Sequence, residues 1–182
     1  MALTSADVVT QWHFNSVTPD ANTATGDTNP SIGSGVASLF GGVTATFASC
    51  DASGGSSDPA VGDNTAWNLR DARNPTGLNL SQGAIFSAST VGFDNVTVNW
   101  DQRQSNSSGR FSAFEYSLDG INFTTLTNPA FDPPGPSFVR TDTGVGPIAA
   151  TGTWRLDMVT VNGTVAIPEP STLALLGLAG VV

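Results

Sequence analysis

Side chains able to do chemistry are few and scattered in this 182-residue sequence. His13 is the single histidine, so a Ser-His-Asp triad would have to pass through it, and no Gly-x-Ser-x-Gly turn presents a nucleophile. A zinc site with three protein ligands including histidine is nearly excluded for the same reason; His13 reads as a polar residue at the edge of the first strand. Glycoside hydrolysis needs two placed carboxylates. Glu115 with an aspartate such as Asp101 is the pairing on offer, and Glu115 reads as a solvated carboxylate on an outer strand face. Cys50 is the only cysteine, which rules out an internal disulfide and any CxxC motif. With no basic neighbour in sequence to favour a thiolate, it reads as a small, partly buried strand residue. The chain has no Lys and therefore no GxxxxGK[ST] phosphate loop. No catalytic residue is assigned, and a non-enzymatic protein is expected.

Binding chemistry offers more. Calcium takes several oxygen ligands, carboxylates among them. Asp58, Asp63 and Asn64 crowd one Gly/Ser/Asp-rich stretch, without the spacing of an EF-hand. The four tryptophans, Trp12, Trp67, Trp100 and Trp154, all sit in strand-like runs and read first as core. A sugar ring would stack on an exposed aromatic flanked by polar groups. Trp67, with Asn64, Asn68 and Arg70 close by in sequence, and Tyr116 are the better candidates for that role. The formal net charge is −9. It opposes a nucleic-acid groove, which needs a basic stripe, and it is repelled by anionic headgroups.

The elements that must position these residues are strands. With no Lys and only two Glu, against 19 Ser, 22 Thr, 13 Asn and 20 Gly, the composition suits strands and turns rather than helices. Val8, Thr10, Trp12 and Phe14 alternate with Val9, Gln11, His13 and Asn15, a period of two with one apolar face. The same period of two aligns Val43, Ala45 and Phe47; Ala84, Phe86 and Ala88; Val96, Val98 and Trp100 within a long run over 93–104; Phe114, Tyr116 and Leu118; and Trp154, Leu156 and Met158. Asp119-Gly120 between two such runs predicts a two-residue hairpin joining 110–118 to 121–127. Residues 50–64 and the Pro-rich 128–150 read as loops, with at most one short strand near Phe138-Val139-Arg140. About eight short strands imply an all-β fold, a two-layer antiparallel β-sandwich of jelly-roll-like type.

The two ends differ from this body. Residues 1–7 read as the small-residue end of a signal peptide or as a disordered N-terminus, and 8–164 as the sandwich domain. After Pro168-Glu169-Pro170-Ser171, the run from Leu173 to Val182 has no polar side chain. Its ten residues are half of what a membrane-spanning helix needs. Pro168, Glu169, Pro170 and Ser171, with the Leu/Ala/Gly run behind them, resemble a PEP-CTERM sorting signal over 165–182, truncated here within its helix, so that the apolar run is expected to form a short C-terminal helix. The resemblance implies an exosortase as partner and a membrane contact through the C-terminal helix of the full-length parent. It implies export through an inner-membrane intermediate to the cell surface or extracellular polymeric matrix of a Gram-negative bacterium. The body is similar to secreted domains that precede such signals, on Ala66-Trp67-Asn68, Asn99-Trp100-Asp101-Gln102-Arg103, Tyr116-Ser117-Leu118-Asp119-Gly120 and Thr153–Val161. Arg155-Leu156-Asp157-Met158-Val159 resembles the closing strand of jelly-roll carbohydrate-binding modules, which implies a structural calcium at Asp157. The alternative function is therefore glycan binding, with an extracellular polysaccharide as partner, Trp67, Asn68 and Tyr116 as contacts, and calcium at Asp58, Asp63 and Asp157.

Overall fold

The computed structural model describes residues 5–51, 55–60, 62–70, 82–105, 108, 113–126 and 152–166. These are all-β, with nine strands and no helix among the described residues: β1 (Asp7–Trp12), β2 (Gly35–Phe40), β3 (Thr44–Ser49), β4 (Thr65–Arg70), β5 (Gly83–Ala88), β6 (Phe93–Gln104), β7 (Glu115–Tyr116), β8 (Thr124–Thr125) and β9 (Thr153–Val165). Every pairing is antiparallel. The long β9 is the spine of a five-stranded sheet. β6 runs along one side of it, while β1 and β4 share the other side end to end, with β3 beyond β4. β2 and β5 form a second sheet, and β7 and β8 a third, two-stranded ribbon. The expected C-terminal helix, the signal at Pro168–Ser171 and the strand near 138–140 lie outside the described residues.

Aromatic side chains join the first two sheets. Phe86 of β5 meets Trp12 at 5.2 Å, Trp67 at 6.0 Å and Phe14 at 6.3 Å, all edge to face. Phe14 stacks on Trp67 at 5.6 Å. Val43, Leu69, Leu156, Val159 and Val161 complete the buried cluster, and Ala45, Phe47, Ala84 and Ala88 pack against it as their alternation predicts. Gly35 lets the sheets close: a Cβ there would meet the Trp12 ring at 2.7 Å and collide with the Ser87 carbonyl.

Three apolar stripes are broken by β-bulges, an extra residue that shifts the side-chain phase. In β1 the register shifts between Val8 and Thr10. Val9 packs on the core and Val8 is exposed, the reverse of the simple alternation. In β9, Asn99 and Asp101 of β6 face Thr160 and Asp157, so one residue is extra, and Met158 takes a left-handed φ of 48°. The inward stripe therefore runs Trp154, Leu156, then Val159 and Val161, and Met158 falls out of it. In β6 the register shifts again between Asp94 and Thr97, with Asn95 at a φ of 52°. Val96 and Val98 are exposed there, and the predicted stripe packs on the core only at Trp100, which stacks on Phe114 at 5.2 Å.

The hairpin at Asp119-Gly120 is present but wider than a two-residue turn. β7 and β8 pair through Glu115 with Thr125 and Tyr116 with Thr124, leaving 117–123 as the loop. Gly120 has the positive φ expected of it, whereas Asp119 acts as an acceptor. Its carboxylate takes the N–H groups of Ile121 and Asn122, the Asn122 amide and the Ser117 hydroxyl. Those bonds, the Asn122 N–H foremost, hold the exposed carboxyl well below the usual carboxylate range. Tyr116 and Leu118 stay exposed rather than forming a buried face with Phe114.

Candidate functional site

Beside the β9 bulge a carboxylate is buried. Asp157 is 1% exposed. Its Oδ1 accepts the Met158 backbone N–H at 2.8 Å, and no donor reaches its Oδ2 in good geometry. Burial pushes this carboxyl up to about 7, and the Asp58 charge adds to the rise; the Ser56 hydroxyl, the Met158 N–H and the Cys50 thiol pull the other way. The side chain lines a small pocket with Cys50, Ser56, Asp101, Gln102, Arg103 and Arg155. Burial and then the neighbouring Asp157 charge push the Cys50 thiol far above its ordinary range, the opposite of what a nucleophile needs. Arg155 donates from Nη1 to the Ser49 carbonyl at 2.6 Å. Burial, then the charges of Arg103 and Arg70, lower its pKa.

The loop after β3 is pinned over this pocket by single polar contacts. Ser57 gives both its N–H and its hydroxyl to Asp101 Oδ2, each at 2.6 Å. Ser56 donates to Asn64 Oδ1 at 3.1 Å. Asn15, itself buried, donates to Asp58 Oδ2 at 2.7 Å and accepts the Thr65 N–H at 2.8 Å. Asp58 Oδ1 takes the Ala60 N–H. Gln102 Oε1 accepts from both Trp100 and Trp154 indole N–H groups, fixing two of the four tryptophans at the pocket's flank.

The structure separates most of the residues that the sequence grouped. Trp67 is 5% exposed and stacked on Phe14, and Asn68 is buried with its amide donating to Thr46. Neither can meet a sugar, because β4 lies in the middle of the sheet with its faces covered; this corrects their assignment as glycan contacts. Tyr116 alone of that trio is exposed. Glu115 stands exposed on β7, accepting from Thr125, while Asp101 lines the pocket in the grip of Ser57. His13 uses Nδ1 to accept the Asn15 N–H at 3.1 Å.

The calcium trio divides as well. Asp58 lies near Asp157, but Asp63 faces Asp20 on the loop after β1. Among the described residues no three His, Cys, Asp or Glu side chains converge closely enough to hold a metal. The surroundings of Asp157 do not fit calcium: both Asp58 oxygens are engaged, and a thiol and two guanidinium groups line the pocket. Asp63 is different. It is 5% exposed, its Oδ1 has no partner, and burial and then the Asp20 charge raise its pKa, while His13 draws it down. Asp20 is pulled the other way, chiefly by the Thr25 hydroxyl and then the Asn22 N–H. Sequence reasoning misses Asp20 and Asn15. The turn-like Thr18-Pro19-Asp20-Ala21-Asn22 is a signal for the first, and a lone Asn after an apolar strand is none for the second. No family model, curated protein or solved structure matches the chain.

Proposed function

We propose that this chain is an exported, non-enzymatic β-sandwich of jelly-roll-like type, sorted by an exosortase to the cell surface or extracellular polymeric matrix of a Gram-negative bacterium. The observation that carries the reading is Pro168-Glu169-Pro170-Ser171 ahead of an unbroken apolar run. Two prolines cannot sit in a helix interior or a strand ladder, so the sequence sets the apolar run apart from the body and brackets Glu169 with two fixed φ angles. The strand neighbours support the jelly-roll reading: β1 lies beside β9, the first and last of the described strands, and β2 pairs with β5 across a long connection. The state of the reactive groups supports a non-enzymatic role. The Cys50 thiol is held protonated, Glu115 and Asp101 serve different local contacts, and His13 secures a turn.

The test is made on this chain fused behind a signal peptide and ahead of a completed membrane helix and basic tail, expressed in a host with an exosortase. The wild type is expected to lose its C-terminal segment and reach the surface, read by intact mass and surface labelling. Pro168→Ala with Glu169→Ala is expected to leave it unprocessed in the inner membrane. Normal processing of the double variant, or normal processing in a host lacking the exosortase, would sink the reading.

A further inference from the structure

Asp157 lies beneath residues 55–60 of the loop after β3, and the strand register gives it an awkward neighbour. Asp101 is its direct cross-strand partner, so the two carboxylates stand side by side on one face of the sheet. The next pair on that face is Arg103 with Arg155. Like charges directly opposite each other weaken a sheet. The arginines do not relieve Asp157: Arg155 Nη1 is engaged by the Ser49 carbonyl, and among the described residues no donor reaches Asp157 Oδ2. Residues 55–60 are strapped onto this face through Asp101, whose Oδ2 takes both the N–H and the hydroxyl of Ser57. The other holds are Ser56 to Asn64 and Asn15 to Asp58. Among the described residues no backbone–backbone bond ties 55–60 to a strand. Cys50, on the wall of the same pocket, is fixed independently, its N–H donating to the Asn64 carbonyl at 2.9 Å. The strap is therefore free to lift while the thiol stays in place.

We propose that residues 55–60 form a proton-gated strap, which covers the pocket while Asp157 is protonated and lifts when Asp157 ionises, opening the pocket and the Cys50 thiol to solvent. Protonated, Asp157 adds no charge beside Asp101. Ionised, it stands against Asp101, the strap's anchor, and against Asp58 on the strap itself, with one oxygen buried and unpaired. Lifting the strap lets water reach that oxygen. The titratable and charged groups around Asp157 are Cys50 at the end of β3, Asp58 on the strap, Asp101 and Arg103 on β6, and Arg155 on β9, with Arg70 of β4 beyond Arg155. The arginines favour the ionised form, but burial outweighs them and the carboxyl is raised to about 7. With the strap lifted, the solvated carboxyl returns toward its ordinary 3.8. The closed form thus holds the proton more tightly, so opening grows as pH rises from about 4 to about 7 and levels off above. The inference stands apart from export and sorting, since it uses only residues of the body.

The experiment uses the whole chain, with its single cysteine as the reporter. With the strap down, burial holds the thiol protonated, so labelling reports the open form. Labelling by 4,4′-dithiodipyridine is followed at pH 5, 6, 7 and 8. Each rate is divided by that of the chain unfolded in urea at the same pH, which cancels the ionisation of a free thiol. The quotient is expected to rise at least ~10-fold between pH 5 and pH 7, within the ~100-fold limit for one proton, and to level off by pH 8. Low urea should leave it unchanged, because a local opening exposes little surface, whereas reaction through global unfolding climbs steeply with urea. Asp157→Asn is expected to flatten the pH profile to within ~2-fold. Ser57→Ala, at an exposed position, removes one bond of the strap. It is expected to raise labelling by about 3- to 10-fold at every pH while keeping the rise with pH, and it keeps the test open should Asp157→Asn fail to fold. The proposal is overturned by a flat wild-type profile, by a profile that still rises in Asp157→Asn, by Ser57→Ala labelling as the wild type does, or by labelling that tracks global unfolding in urea.

Discussion

The two sides of the β9 bulge are held together by different means. From Val159 onward β9 lies beside β1, and its inward residues join Trp12, Phe14 and Phe86 in a cluster where apolar groups meet apolar groups. On the other side, at Asp157, the neighbours are a thiol, a serine hydroxyl, two guanidinium groups and another carboxylate. The apolar side is redundant, since each ring has several partners and each aromatic pair adds about 0.5–1.5 kcal/mol beyond area burial. The polar side hangs on isolated polar contacts such as Ser57 to Asp101 and Asn15 to Asp58. It also keeps a buried oxygen without a partner, at Asp157. Stability supplied by the first side should be indifferent to pH, and stability supplied by the second conditional on it.

The largest effect belongs to the apolar side. Trp67→Ala empties the centre of the ring cluster and is expected to lower unfolding stability by about 3–5 kcal/mol in urea denaturation. A loss under about 1 kcal/mol would show that Trp67 is a surface platform after all. Gly35→Ala forces a methyl group against Trp12 and the Ser87 carbonyl. Its expected cost is about 1–3 kcal/mol, from overpacking rather than from a cavity, and independent of pH between 5 and 8. Least of all should come from the exposed hairpin. Asp119→Ala removes four bonds from a loop that packs on little else. Hydrogen exchange at Ile121 and Asn122 should quicken while the melting temperature of the whole protein hardly moves. A global loss would mean that the hairpin belongs to the cooperative core.

Legibility in the sequence divides along the same line. Alternation places β6 at its observed limits, Phe93–Gln104, and marks Ala84, Phe86 and Ala88 as inward, because a period of two survives wherever the ladder is regular. Alternation fails at Val8 and Met158, where one extra residue resets the phase and no local residue type announces it. It also passes over β2 and β4. Thr65–Arg70 is buried at every position but its last, so it has no polar face to betray a strand. At the polar end, the sequence shows which residues are acidic but not which face each other. Asp58, Asp63 and Asp157 look alike there, and their separation depends on contacts such as Asn15 to Asp58, 43 residues apart, that carry no periodic signature.

The contrast across the bulge is tested most directly by the pH dependence of stability in the wild type and in Asp157→Asn. The folded-state value for Asp157 is raised to about 7, above the ordinary value of 3.8 that the unfolded chain keeps. Between these values the folded protein binds the proton and the unfolded chain does not, so the group's contribution is full below about pH 4 and is lost as pH rises toward 7. The slope is bounded by about 1.4 kcal/mol per pH unit for one proton. Asp157→Asn removes the charge and keeps the shape. Urea denaturation at pH 5, 6, 7 and 8 should show the wild type falling behind the variant as pH rises, by about 1–3 kcal/mol at pH 8, with the two closest at pH 5. Parallel curves across that range, or a variant that loses ground as pH rises, would contradict the account of a buried, unsatisfied carboxylate at the polar end.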